Sequence, residues 1–303
     1  LIIIFGIFWL LGENPGEIHW NWKGLLPNLT SLNELVLISG VLLGLAGLEM
    51  SSVHAQNVVN PKKDYLLGIF SSALLIIIVS ILGGLSIANV VPLEKIELTS
   101  AGMEAFRFFF QAFQIPWMTP LISAITAFGA VGMLSTWIAG PSRGLLAAAA
   151  DGDLPPIFHK SNRHGMPVAI LTTQAILVTI LSTLFLFMPS VNSSYWALIA
   201  LSSVLYQLMY ILMFLSLLVL RYKKPAMKRP YEIPFGKVGL WLVGGFGITG
   251  STFGLFFAFF PPAQFSVGKL FLFESFLIGG ILFFCSIPLL CYRFRKHFHS
   301  KEV

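Results

Sequence analysis

Apolar runs long enough to cross a lipid bilayer follow one another along most of this chain. A membrane-spanning helix needs about 20 mostly apolar residues, and seven such runs lie between residues 33 and 292. Of the 303 residues, 56% are hydrophobic and 11% are charged, whereas a soluble domain carries about 25% charged residues. A spanning segment must satisfy its backbone polar groups internally, and the sequence therefore predicts an all-α integral membrane protein.

The seven predicted spans are accompanied by an eighth apolar run, residues 1–11, which is too short to cross the bilayer. We interpret it as the end of a helix whose beginning is missing, which predicts a fragment or the product of a split gene. Between the second and third spans, four apolar side chains at helical spacing predict a helix lying on the bilayer surface: Met103, Phe106, Phe110 and Phe113. The spans are predicted at 33–56, 66–91, 118–150, 167–188, 195–220, 238–260 and 267–292.

The basic residues are distributed unevenly between the two sides of the predicted membrane protein. When successive loops are assigned to alternate sides, one side receives only Lys23, Lys95, Arg107 and Lys269 of the 19 lysines and arginines. Cytoplasmic loops carry an excess of Lys and Arg, and this distribution places the C-terminus in the cytoplasm. It also accounts for the net charge of +6 through orientation in the lipid bilayer, without a nucleic-acid partner.

Two glycines and a carboxylate interrupt the first full span. Gly44 and Gly47 each weaken a helix by about 1 kcal/mol relative to alanine, and Glu49 would cost roughly 2.5–3.5 kcal/mol at mid-membrane depth. A chain that accepts all three within two turns is predicted to unwind there. Broken helices of this kind are typical of substrate sites in secondary transporters. Glu49 is then either a cavity-facing group that couples protons or substrate, or an acid that holds the unwound segment to backbone donors.

Other polar residues in or beside the spans are candidates with two interpretations each. Tyr206 and Tyr210 are four residues apart, hence on one helix face, and each buried hydroxyl needs a partner; they either face a substrate path or are structural. Arg143 is a cytoplasmic gate or a helix-end anchor. His54 is a pH-sensing group or a hydrogen-bonded histidine.

The sequence contains no convincing catalytic or cofactor motif. No HExxH or P-loop pattern occurs, and a GxSxG match at 140–144 lies inside a predicted membrane span and not at the strand-to-helix turn that this motif needs. The sequence therefore predicts no enzyme, no metal site and no cofactor. A channel or an intramembrane enzyme remain the alternatives to a transporter. Nothing in the sequence indicates an oligomeric state.

Several segments together resemble the permeases of the amino acid/polyamine/organocation (APC) superfamily, and most closely the bacterial glutamate/GABA antiporters. They match the sixth helix and the loop after it, the eighth helix and the loop beyond it, and the loop after the tenth helix. The segments are GLEMS at 47–51, NPKKDY at 60–65, WIAGPSRG at 137–144, DLPP at 153–156, HGMPV at 164–168 and KRPYEIPFG at 228–236.

The resemblance implies a twelve-helix, inverted-repeat transporter bundle. Residues 1–303 would form a single transmembrane transporter domain made of the end of helix five and helices six to twelve, and the missing N-terminal helices would be needed to complete the site. The antiporter pattern suggests a glutamate where this chain has Met133, which favours neutral or apolar substrates. The residues expected at the substrate and coupling site are Gly44, Ala46, Gly47, Glu49, Tyr206, Tyr210 and Met133.

The expected function is secondary active transport of amino acids across the bacterial inner membrane. The resemblance implies gradient-driven exchange or proton-coupled uptake, with a glutamate/GABA-like specificity as one possibility. A truncated permease without activity is the remaining alternative.

Overall fold

The described part of the chain is helical throughout. The computed structural model describes residues 1–12, 16, 18, 30–92, 100–229, 231–261 and 270–299, without the side chains of residues 33, 53–57, 61, 62 and 295–299. No strand occurs in these ranges. The α-helices are α1 (Ile2–Leu11), α2 (Leu32–Gly44), α3 (Leu66–Ala88), α4 (Ala101–Ala112), α5 (Met118–Ala150), α6 (Val168–Ser182), α7 (Leu184–Phe187), α8 (Val191–Lys223), α9 (Gly236–Phe257) and α10 (Leu270–His299). A 3-10 helix covers Leu48–Asn57, a π-helical turn covers Pro61–Tyr65, and a second 3-10 turn covers Pro156–His159.

Seven helical segments among the described residues are long and apolar enough to cross a membrane. They are Glu34–Ser52, Lys63–Ala88, Met118–Ala150, Val168–Phe187, Val191–Lys223, Gly236–Phe257 and Leu270–Phe294, with the shorter apolar helix Ile2–Leu11 before them. This confirms the predicted all-α integral membrane fold with seven full spans and one partial span.

One helix is divided where the sequence predicts a continuous span, and another agrees with the prediction despite an internal proline. The predicted span 167–188 is divided at Thr183 into α6 and the short α7. In contrast, α5 continues through Pro141 to Ala150, although a proline inside a helix removes a hydrogen bond and usually kinks it.

The chain divides into two compact units, and the division falls inside α5. One unit comprises Leu1–Pro27 and Gly68–Gly140, and the other comprises Asn28–Leu67 and Pro141–Val303. The single transporter domain predicted for residues 1–303 stays a prediction.

Aromatic contacts between α1 and α4 hold the first unit together. The Phe5 ring meets Phe110 edge-on at a centroid distance of 5.3 Å and stacks on Phe109 at 5.8 Å. Phe113 also lies within 5.8 Å of Phe5, and both Phe109 and Phe110 are fully buried. The apolar face of α4, predicted to lie on the bilayer surface, thus packs against α1. Edge-to-face aromatic pairs contribute about 0.5–1.5 kcal/mol beyond the area that they bury.

Helix α8 is the centre of the second unit, where it packs against α2, α7, α9 and α10. Its buried side chains form one core with residues of the neighbouring helices: Val36, Trp196, Ala197, Ala200, Leu201, Phe257, Phe273 and Leu277. Small residues allow the close approach that membrane helices need. A Cβ added to Gly280 would lie 2.6 Å from Leu201 Cδ1, and one added to Gly244 would lie 2.9 Å from Leu218 Cδ2.

Candidate functional site

The first full span is broken where the glycines and the carboxylate had predicted it. Helix α2 ends at Gly44, and a 3-10 helix begins at Leu48 with Glu49 in its first turn. Between them Gly47 has a φ angle of 104°, a backbone conformation that glycine adopts readily and other residues rarely do. The break therefore has a local cause in the sequence.

Glu49 joins the broken segment to the middle of α8. The Tyr210 hydroxyl donates a hydrogen bond of 2.7 Å to Glu49 Oε2. The Gly47 N–H is shared between Glu49 Oε2 and the Tyr210 oxygen, at 3.1 Å to each. We call these three residues the Gly47–Glu49–Tyr210 triangle.

The triangle stabilises a polar group that would otherwise be costly in a membrane. Hydrogen bonds to a charged group contribute about 1.5–3 kcal/mol each, which offsets the roughly 2.5–3.5 kcal/mol that an acid costs on insertion. Only one carboxylate oxygen is used in this way. The other, Glu49 Oε1, is buried and has no hydrogen-bond partner in the described part of the chain, and it can accept a proton or a donor from a ligand.

Tyr206, one turn before Tyr210 on α8, lies next to Tyr210. Its ring centroid lies 5.9 Å from that of Tyr210, with an angle of 53° between the ring planes. Both side chains are half-buried. The four-residue spacing thus places the two tyrosines together, as predicted, and only Tyr210 belongs to the triangle.

A cleft of about 300 Å³ opens beside the triangle, between α2, α8 and α9. Ala46 lines it from the break and Tyr210 from α8. Gln207 and Ser251 also line it, although neither residue was predicted from the sequence. Their signal was present, because each is a polar residue in the middle of an apolar helix. The other lining residues are Leu42, Leu45, Phe214, Phe246, Gly247 and Gly250.

None of the remaining predicted site residues belongs to the triangle. Met133 is exposed on the part of α5 that belongs to the first compact unit. Arg143 is exposed on α5, next to the buried Ser142, whose hydroxyl bonds Gln174 Oε1 at 3.1 Å. The side chain of His54 lies outside the described residues. Gly44 is the last residue of α2, and no described atom lies within 4 Å of a Cβ placed there.

Comparison with known proteins gives a family model and curated relatives. The family model described as amino acid permease matches residues 1–283. An uncharacterized transporter of Legionella pneumophila is 42% identical over 95% of this chain and 62% of its own length. Two glutamate/gamma-aminobutyrate antiporters of Lactococcus lactis are also similar. The one from subspecies lactis is 31% identical over 100% of this chain and 63% of its own length, and the one from subspecies cremoris 32% over 96% and 59%.

The chain spans about six-tenths of the length of these relatives. The family model nevertheless covers nearly all of it, in agreement with the seven membrane-length helices and the broken span. Its relatives are named as transporters or antiporters, and the family is one of permeases and not of enzymes. This chain belongs to the amino acid permease family.

Proposed function

We propose that the full-length protein is a secondary active transporter that exchanges or imports amino acids across the bacterial inner membrane. The observation that carries this proposal is the Gly47–Glu49–Tyr210 triangle at the break of the first full span. Broken helices at membrane depth expose backbone groups that can bind the charged ends of a substrate. A buried ionisable residue at the same place is a functional candidate by default.

The triangle offers an amino acid two kinds of contact. The ammonium group of the substrate can donate to Glu49 Oε1, which has no partner among the described residues. Its carboxylate can accept from backbone amides freed by the break, as anions do at helix termini. Because Glu49 can also take up a proton, the same residue can couple transport to a proton gradient, and exchange and proton symport both fit this geometry.

The names of the relatives and one difference from the antiporter pattern support the substrate class that we propose. The Lactococcus lactis relatives are named glutamate/gamma-aminobutyrate antiporters, and another, matched over 71% of this chain, is named a probable agmatine/putrescine antiporter. The compounds in these names, glutamate, gamma-aminobutyrate, agmatine and putrescine, are all amino compounds. The resemblance suggests a glutamate where this chain has Met133, and we therefore propose neutral amino acids before glutamate.

The test is uptake of a panel of labelled amino acids by the purified full-length protein in proteoliposomes. We expect accumulation of at least one neutral amino acid with an imposed proton gradient, or counterflow when the vesicles are preloaded with the same amino acid, in both cases without ATP. Empty vesicles are the control. Transport of nucleosides or sugars in place of every amino acid would refute the proposal.

A further inference from the structure

The cleft beside the triangle contains polar groups that its own walls do not satisfy. It lies within the second compact unit, and three of the ten described residues that line it have polar side chains. Of these, the Tyr210 hydroxyl is already bonded to Glu49 and Gly47. The other two are Gln207 on α8 and Ser251 on α9.

Gln207 has no hydrogen bond to any described residue. Its side chain is 3% exposed. A Cβ placed on Gly254 would lie 3.3 Å from Gln207 Cδ and 3.4 Å from Nε2, and so the amide occupies space that a glycine on α9 leaves open. Ser203, one turn earlier on α8, differs because its hydroxyl bonds the Ser39 carbonyl at 3.0 Å. The Gln207 amide atoms are not among the buried polar atoms without a partner, and so a group in the cleft that Gln207 lines can reach them.

Ser251 on α9 also has no hydrogen bond to any described residue. It is 7% exposed. Serines on two other helices, Ser135 on α5 and Ser182 on α6, bond the carbonyl four residues earlier at 2.9 and 2.8 Å. No such bond forms at Ser251 among the described residues, and its side chain lines the cleft.

None of the described residues that line the cleft is charged, and this restricts the groups that can enter it. A carboxylate or an ammonium group there would lose its hydration without a counter-charge. An uncharged group that carries one hydrogen-bond acceptor and one donor on an apolar stem fits this lining. Its polar atoms can bond the Gln207 amide and the Ser251 hydroxyl, and its stem can contact Leu42 and Phe246. The volume of about 300 Å³ is at the small end for ligand sites and suits a single side chain.

We propose that this cleft binds the side chain of the transported amino acid, and that Gln207 and Ser251 select an uncharged polar side chain such as an amide. This inference rests on the proposed function, because the charged ends of the same substrate would remain at the triangle, beside Ala46 and Tyr210. Gln207 and Ser251 are then specificity-determining residues. Leucine would fill the cleft without satisfying them, and glutamate would bring an unpaired charge.

The experiment measures binding by the purified full-length protein in detergent, with glutamine, leucine and glutamate as the probes. We expect glutamine to bind most tightly, with glutamate at least tenfold weaker.

Gln207→Leu should weaken glutamine binding about tenfold and change leucine binding less than threefold. Ser251→Ala should act in the same direction by a smaller factor, and it tests the proposal on its own if Gln207→Leu does not fold. Gln111→Leu and Ser202→Ala, at exposed positions on α4 and α8, are the matched controls.

Two outcomes overturn the proposal. One is equal affinity for glutamine in the wild type and both cleft variants, which would leave water or a lipid group as the partner of Gln207. The other is a wild-type protein that glutamine does not bind. Uptake by the same proteins distinguishes a failure of the cleft assignment from a failure of the proposed transport function. Transport with unchanged selectivity in Gln207→Leu refutes only the cleft assignment, whereas the absence of any amino acid transport refutes the proposed function.

Discussion

At the scale of single residues, the two oxygens of Glu49 have different surroundings. Oε2 is fixed by Tyr210 and Gly47, and Oε1 is buried without a partner in the described part of the chain. The two interpretations of Glu49 that the sequence left open are therefore compatible. One oxygen holds the broken segment to α8, and the other is available for a proton or a substrate.

We expect Glu49→Gln to change the pH dependence of transport more than it changes folding. Glutamine retains an acceptor for the Tyr210 hydroxyl and the Gly47 amide, but it cannot gain and lose a proton as a carboxyl group can. Uptake measured from pH 5 to pH 8 should be flatter in the variant than in the wild type. Glu34→Gln, at an exposed position in the first turn of α2, is the control. An unchanged pH profile with full activity would make Glu49 purely structural.

Tyr210→Phe removes the hydroxyl that connects α8 to the break. The variant leaves Glu49 Oε2 with one hydrogen bond fewer and the Gly47 amide with one acceptor fewer. The expected loss of unfolding free energy is about 1–3 kcal/mol, together with reduced transport. Thermal unfolding of the purified protein measures the first effect, and Tyr195→Phe, at an exposed position on the same helix, should show neither. Wild-type stability in Tyr210→Phe would contradict the role assigned to the triangle.

At the scale of helices, glycines decide how closely α9 and α10 approach α8. Gly280 and Gly279 are neighbours on α10 with opposite surroundings: a Cβ on Gly280 would lie 2.6 Å from Leu201 Cδ1, whereas no described atom lies within 4 Å of a Cβ on Gly279. Leu201 is 3% exposed in the core of the second unit and has little room to move.

This pair gives a matched test of helix packing. Gly280→Ala should destabilise the protein by about 1–3 kcal/mol, as overpacking of a core does. Gly279→Ala should be neutral or slightly stabilising, because alanine favours the helix by about 1 kcal/mol over glycine. Thermal unfolding of the two variants under the same conditions decides the point, and equal effects would show that α10 is not packed tightly against α8.

At the scale of the whole molecule, the uneven distribution of basic residues predicts the orientation. Reporter fusions after Lys237 and after Val303 should both report a cytoplasmic location, and a fusion after Gln114 should report the opposite side. The positive-inside rule is the physical reason. A periplasmic signal after Lys237 or Val303 would overturn the predicted topology.

The relatives are longer than the part that this chain matches. The resemblance implies a substrate site between two repeats, and this chain would supply the second, complete repeat. We expect the 303-residue chain expressed alone to transport no amino acid, and to gain uptake when it is co-expressed with the part of such a relative that it does not match. Uptake by the 303-residue chain alone would show that the unmatched part is dispensable or that two copies assemble one site.

Local physical chemistry was sufficient to predict the membrane spans and the break in the first full span. A run of about 20 apolar residues predicts a membrane helix, because a segment in lipid must pair its backbone polar groups internally and a helix does so. All seven predicted spans correspond to helices. The break at Gly44 to Glu49 was equally predictable, since the conformation of Gly47 depends on that residue and its neighbours.

The tertiary structure alone decided which of these residues meet. Glu49 and Tyr210 are 161 residues apart in the chain, and no periodicity specifies that the break should lie against the middle of α8. The same holds for the face of α4 that packs on α1, and for Gln207 and Ser251, whose cleft exists only because α2, α8 and α9 pack together. Such contacts depend on side-chain shape across helix interfaces, which the sequence of a single helix does not contain.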